Sequence, residues 1–264
     1  MGRKGARLGQ HFLIHSWAAR KLAHAASPRD GEVIVEIGPG KGVLTKELLA
    51  LAPVIAVEKD GQLVEKLRET FANEIKSGRL TLIEDDVRNF DPTNYKLQAN
   101  SYIVAANIPY YITGEIIRQF LTTSVQPRAM ALLVQKEVAQ RVVDTKESIL
   151  SISVKVYGTP KIIAKVGKSH FSPPPSVDSA ILLIDDISKK FFSDISEESF
   201  FTLVRAGFAS KRKMITNNLS ALMKKEGVSK SFTTCAIPEN ARAENVSLDQ
   251  WKCLALNAKS RASS

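Results

Sequence analysis

Cysteine is nearly absent: Cys235 and Cys253 are the only two in 264 residues. Two cysteines cannot supply a disulfide framework, and neither has a CxxC partner, so the simplest setting is a reducing compartment. Histidine is scarce as well. Its four copies are scattered, and although His11 and His15 stand one helical turn apart, the intervening Phe12-Leu13-Ile14 lacks the glutamate of a zinc-protease helix. No metal site is expected. No apolar run approaches the roughly 20 residues that cross a bilayer. The opening Met1-Gly2-Arg3-Lys4 has no apolar secretory segment, and Ala6 stands where a myristoylation signal needs Ser or Thr. No internal repeat or low-complexity tract interrupts the chain. A soluble, cytoplasmic, monomeric protein is the expectation.

Positive charge, by contrast, is plentiful. The formal net charge is +10 and the pI near 9.6, which points to a polyanionic partner. Residues 187–264 carry 13 Lys/Arg against 7 Asp/Glu, so the last third is the more basic part per residue. With 44% hydrophobic residues, the chain can bury one large core and one small one.

Short apolar runs alternate with amphipathic ones through the first two thirds, the βαβ signature of a mostly parallel sheet covered on both faces. The predicted strands are Val33–Ile37, Val54–Glu58, Leu80–Glu84, Tyr102–Ala106 and Ala129–Gln135. Helical spacing lies between them, as in Val43 to Leu51 and Gln62 to Phe71, and continues in Glu137–Val143 and Ile149–Val156. Lys161–Val166 and Ser179–Ile184 read as an antiparallel pair at the sheet edge, joined through Ser172-Pro173-Pro174-Pro175-Ser176, whose prolines cannot donate ladder hydrogen bonds. Beyond Asp186 the pattern is helical. Phe200, Leu203, Val204 and Phe208 share one apolar face, and Ile215, Leu219, Leu222 and Met223 another. The expected architecture is α/β: a doubly wound, mostly parallel, Rossmann-like domain over residues 1–186 and a small all-helical domain over 187–264. The tail after Asn257 is expected to fray.

Two motifs carry chemistry. Glu36-Ile37-Gly38-Pro39-Gly40-Lys41-Gly42 follows the first of these strands and opens a helix, so Gly38 and Gly40 let backbone approach a ligand. A nicotinamide fingerprint needs G-x-G-x-x-G, but position 43 is Val. Glu58, at the end of the second, is placed to accept from both ribose hydroxyls. Among Glu84, Asp85 and Asp86 after the third, Asp86 is the choice by phase for accepting from an adenine amino group. Adenine, ribose and no phosphate together specify S-adenosyl-L-methionine. The second motif is Asn107-Ile108-Pro109-Tyr110-Tyr111. Pro109 holds Ile108 extended and offers no N–H of its own. The Asn107 side-chain oxygen and the Ile108 carbonyl then form two acceptors for one exocyclic amino group, with Tyr110 to stack on its ring. Phe171, ahead of the triproline, is a candidate second stacking face against the plainer reading of a core aromatic.

Together with Leu8-Gly9-Gln10-His11-Phe12-Leu13, Gln135-Lys136-Glu137-Val138 and Phe171-Ser172-Pro173-Pro174-Pro175-Ser176-Val177-Asp178-Ser179, these motifs, in this order, resemble the ribosomal-RNA adenine N6-dimethyltransferases of the KsgA type over nearly the whole chain. The resemblance implies a methyltransferase domain followed by a small helical domain. It also implies transfer of two methyl groups to each of two adjacent adenines near the 3′ end of small-subunit (16S) rRNA, within small-subunit biogenesis. It assigns cofactor contacts to His11, Leu13, Gly38, Glu58, Asp86 and Asn107. His11 departs from the pattern, since many bacterial members have Asn there; a ring nitrogen can still make the contact. Arg205 and Lys211-Arg212-Lys213 lie in the basic third and are expected to hold the rRNA backbone, with Arg3, Lys4 and Arg7 as an N-terminal arm. Three rival functions remain: a large-subunit rRNA methyltransferase, disfavoured by the triproline and the Arg205–Leu219 segment; a binding-only assembly or transcription factor, disfavoured by intact Gly38, Glu58, Asp86 and Asn107; and a nicotinamide-dependent oxidoreductase, disfavoured by Val43.

Overall fold

The computed structural model describes residues 11–220, 222 and 225–259. The Leu8-Gly9-Gln10 part of the N-terminal motif, the basic arm at 3, 4 and 7, and Met223 lie outside the described residues. The strands in chain order are β1 (Phe12–Leu13), β2 (Val33–Ile37), β3 (Val54–Glu58), β4 (Leu80–Glu84), β5 (Tyr102–Asn107), β6 (Ala129–Gln135), β7 (Thr159–Val166), β8 (Phe171–Ser172) and β9 (Ser179–Asp185). Seven of them form one sheet in the order β4-β3-β2-β5-β6-β9-β7. Pairing is parallel from β4 to β6 and antiparallel on either side of β9. The central strands are apolar runs with almost every residue buried, as a sheet covered on both faces requires.

The expected antiparallel pair is present, but β7 holds the edge while β9 runs between β6 and β7. Between them the chain does something unforeseen. β8 pairs antiparallel with β1, aligning Leu13 with Phe171 and Phe12 with Ser172, and the triproline follows through a cis Ser172–Pro173 bond.

The chain forms two compact units: residues 1–140 with 158–187, and 141–157 with 188–264. This differs from a division at 186/187 in the segment 141–157. Aromatic packing accounts for the difference, because the Tyr157 ring lies 5.3 Å from Phe192 and its hydroxyl donates to Glu197 Oε1 at 2.6 Å. Within the second unit, Phe200, Leu203 and Val204 are buried on the helix Glu197–Gly207, as their spacing predicts. Gly207 leaves room for Trp251, and a Cβ there would collide with the indole ring, which stacks on Phe208. Leu222 breaks its predicted face. The helix Ile215–Leu219 ends before it, leaving it 49% exposed. The last helix, Leu248–Lys259, runs past the point expected to fray.

The cysteines also depart from expectation. Cys235 and Cys253 are bonded to each other, joining the helix Lys225–Thr234 to the last helix. A single bridge is no framework, but the pairing removes the cysteines as an argument for a reducing compartment. Among the described residues no helix is long and apolar enough to cross a membrane, and no three His, Cys, Asp or Glu gather as metal ligands.

Candidate active site

The strand order turns back at β2: β3 and β4 lie to one side, β5 and β6 to the other. In a doubly wound sheet ligands bind beyond the carboxyl ends of the strands at this switch. An open cleft lies there, lined by residues that end β2, β3 and β5 and start the loops after them. His11, Gly38, Gly40, Glu58, Asp86, Asn107, Ile108 and Tyr110 all line it. Leu13 and Phe171 do not. Leu13 lines only a small side cavity next to the main cleft. Phe171 is buried in the core across the β1–β8 ladder, which is the plainer of its two readings.

The glycine turn is shaped by close approach. Gly38 (φ +64) and Gly40 (φ +59) occupy the left-handed region that only glycine enters without cost. A Cβ on Gly40 would press on the Phe12 ring at 3.0 Å, whereas one on Gly38 would meet nothing and stand in open space. The backbone at Gly38 is therefore an uncovered cradle of the kind a flat ligand fills.

Glu58 is buried, and backbone holds it in place. Its Oε2 accepts from Gly40 N–H at 3.1 Å and its Oε1 from Lys59 and Asp60 N–H at 2.9 and 3.0 Å. A carboxylate offers about four lone pairs, so Oε2 retains acceptor capacity for a hydroxyl. Of the three acids, Glu84 ends β4 with its carboxylate beside Gly61, while Asp85 and Asp86 follow the strand and line the cleft. Asp86 caps the following 3-10 turn and binds Arg88 Nε at 3.0 Å and Lys59 Nζ at 2.7 Å. The Arg88 guanidinium, with the Lys59 ammonium behind it, holds its carboxyl far below the usual range.

Asn107 ends β5, and its orientation is set by one hydrogen bond. Its Nδ2 donates to the His11 carbonyl at 3.0 Å. A carbonyl can only accept, so that atom must be the nitrogen, which fixes the opposite atom as the oxygen acceptor. No described residue donates to Asn107 Oδ1 or to the Ile108 carbonyl. The Tyr110 hydroxyl is hydrogen bonded to Ser179 Oγ at 2.8 Å, and burial raises its pKa, so the ring is held in place and neutral. His11 donates from Nδ1 to the Pro173 carbonyl at 2.8 Å, tying the β1 end of the site to the triproline.

Three residues inside the quoted motifs and segments have no role assigned from the sequence. Tyr111 lines the cleft 74% exposed, a far more accessible ring than the buried Phe171. Asn218 donates from Nδ2 to the carbonyls of Gly207 and Ser210, at 2.6 and 3.1 Å, and so fixes the turn bearing Lys211, Arg212 and Lys213. Those three and Arg205 are exposed, and none forms an ion pair among the described residues. The third is Glu36, fully buried on β2, whose carboxyl oxygens have no hydrogen-bond partner. The Thr45 hydroxyl lies near it and favours the charged form, but no well-formed bond joins them. Burial first, then the Glu58 charge, pushes Glu36 up to about 8.

A glutamate raised from 4.5 to about 8 binds its proton more tightly in the folded state, so its contribution is complete below 4.5 and is lost as pH rises towards 8. Thermal melts across that interval should therefore show the wild type losing more stability than Glu36→Gln. Parallel curves would remove the buried acid as the cause.

Residues 1–259 match the family described as Ribosomal RNA adenine dimethylase. A curated relative from Dehalococcoides mccartyi, Ribosomal RNA small subunit methyltransferase A, is 39% identical over 262 residues, covering 96% of this chain and 87% of its own. Two solved structures share the fold. A dimethyladenosine transferase from Plasmodium falciparum has a TM-score of 0.77 at 23% identity, covering 96% of this chain and 98% of its own. The 23S rRNA methyltransferase ErmE has 0.76 at 22%, covering 94% and 99%.

Proposed function

The chain belongs to the ribosomal RNA adenine dimethylase family, and from that membership we infer that it is the enzyme that methylates N6 of two adjacent adenines near the 3′ end of small-subunit rRNA, giving N6,N6-dimethyladenosines. The observation that carries the site assignment is the Asn107 amide, held by His11 so that its oxygen and the Ile108 carbonyl stand as a pair of unused acceptors in the cleft.

The residues present fit S-adenosyl-L-methionine: Gly38 offers a bare cradle, Glu58 an acceptor for ribose, and Asp86 an acceptor for the adenine amino group in exchange for one of its bonds to the Arg88 or Lys59 side chain. Bound there, the cofactor supplies an electrophilic methyl group on a sulfonium. The target adenine amino group is a poor nucleophile because its lone pair is delocalised into the ring. Asn107 Oδ1 and the Ile108 carbonyl accept its two hydrogens, which favours a more tetrahedral nitrogen and aims the lone pair out of the ring plane. Positioning and electrostatics supply the rate. Asn107 never acts as a base. The methylated nitrogen becomes acidic and loses its proton to water, and the monomethylated amino group still has one N–H for one acceptor. The base must leave any stack to arrive, at a cost of a few kcal/mol, which stacking on Tyr110 offsets.

The methyl-transfer domain is read as residues 1–186 and the helical RNA-holding domain as 187–264. The protein acts without a metal, as a cytoplasmic monomer on an immature small subunit. Arg205 and residues 211–213 grip rRNA phosphates. Reversing the three charges at 211–213 should weaken RNA binding and flatten its salt dependence by about 2 to 3 in the log–log slope. An unchanged slope would make the cluster an ordinary solvated face. The overall reading is tested by incubating the protein with labelled S-adenosyl-L-methionine and under-methylated small subunits, then mapping the product by nuclease digestion and mass spectrometry. Dimethyladenosine at two neighbouring positions is expected; label only in large-subunit RNA would overturn the assignment.

A further inference from the structure

The helix Ser16–Ala26 packs on the sheet through small and aliphatic residues, Ala18, Ala19, Leu22, Ala23 and Ala26. Its outer face carries Trp17, Arg20, Lys21 and His24, all exposed and spaced one helical turn apart. Trp17 is 41% exposed. It does not stand alone. The His170 ring lies 5.3 Å from Trp17 and 5.0 Å from His15, and Ile14 N–H donates to the His170 carbonyl, so the rings form one platform on the β1–β8 ladder.

Along the two segments that carry the platform the charge is positive up to Asp178, whose carboxylate accepts from the Lys168 N–H at 3.1 Å. Residues 11–29 and 159–177 hold six Lys/Arg and no Asp or Glu, in a chain where acids otherwise offset most of the bases. Arg20, Lys21 and Lys168 form no ion pair among the described residues. The platform is also continuous with the cleft, because the segment that leads into it begins with His11 and Phe12, which line the cleft wall, and His11 lies 5.8 Å from the Tyr110 ring.

Exposed rings interleaved with unpaired cations are what single-stranded nucleic acid binds: the rings stack on bases of any identity and the cations follow the backbone. A protein partner would have to bring its own acids to these cations, whereas a nucleic acid carries a negative charge on every nucleotide. We propose that the Trp17–His170 platform, with Arg20, Lys21 and Lys168, is a second binding site that holds unpaired RNA flanking the target adenine. This rests on the reading that the substrate is RNA.

The test uses the full chain and two readouts. Fluorescence anisotropy with a labelled, unstructured adenine-rich RNA should show Trp17→Ala weakening binding at least about fivefold, with Trp17→Phe close to wild type. Arg20→Gln with Lys21→Gln should flatten the salt dependence by about 1.4 in the log–log slope. In methyl transfer to small subunits, both variants should raise KM with little change in kcat. Unchanged RNA affinity and slope in the folded variants would overturn the platform, even if transfer by the wild type proceeds normally. A wild type that transfers no methyl to small-subunit RNA would overturn the functional reading, while the anisotropy measurement would still decide the platform.

Discussion

Asn107→Ala should keep part of its cofactor affinity and lose methyl transfer to small-subunit RNA by more than about a hundredfold, the range expected when a placed transition-state contact is removed. Two effects combine. The substitution deletes the acceptor for one N6 hydrogen, and it releases the His11 carbonyl that Asn107 Nδ2 holds at 3.0 Å, loosening the β1 side of the cleft. Asn107→Asp separates the two, since a carboxylate can still accept but meets the His11 carbonyl with a second acceptor and a charge. It should therefore transfer poorly as well, with its cofactor affinity changed by the new charge. Titration calorimetry for the cofactor and labelled transfer for the reaction check both. Transfer by the alanine variant within a few-fold of wild type would show that Asn107 does not orient the amino group.

The features legible in the sequence were those set by local pattern. Each central strand is an apolar run, so β2 to β6 lie within a residue of where the sequence puts them. The glycine turn, Glu58 and the Asn107 loop gather in one cleft because all follow strand ends on the same edge of a parallel sheet. What escaped was non-local. β1 and β8 have two residues each, too few for a period, and only the ladder between them reveals that Phe171 faces the core. Tyr157 joins the second unit through Phe192 and Glu197, partners 35 or more residues away. The Cys235–Cys253 pairing likewise depends on how two helices meet. The phase of β4 brings Asp86 to the cleft, but no local pattern shows the Arg88 and Lys59 contacts that keep it ionised.

Arg128→Ala should be among the most destabilising single changes in the chain while leaving the cleft's chemistry in place. Arg128 precedes β6 and Glu32 precedes β2, so the pair sits at the amino ends of the strands, opposite the cleft. Both are buried, and they meet as a fork: Nε to Oε1 at 2.6 Å and Nη2 to Oε2 at 3.0 Å. Nη2 also donates to the Ser27 carbonyl at 3.0 Å, and Nη1 reaches Asp185 at 3.3 Å. Burial alone would raise the Glu32 carboxyl, but the Arg128 guanidinium and the Arg29 N–H outweigh it and hold it below its ordinary value. That contribution is present at neutral pH and is lost in acid, as pH falls below 4.5 through the depressed value. Removing the arginine leaves a buried carboxylate without its partner, at a cost of about 3 to 5 kcal/mol, or roughly 10 °C in Tm for a chain of this size. Arg128→Lys keeps the charge but not the fork and should recover only part of the loss. The decisive variant is the double replacement Arg128→Met with Glu32→Leu, which removes both charges together. If desolvation is what makes the single change costly, the double variant should melt well above Arg128→Ala; equal melting temperatures would assign the loss to packing around Ser27 and Asp185 instead.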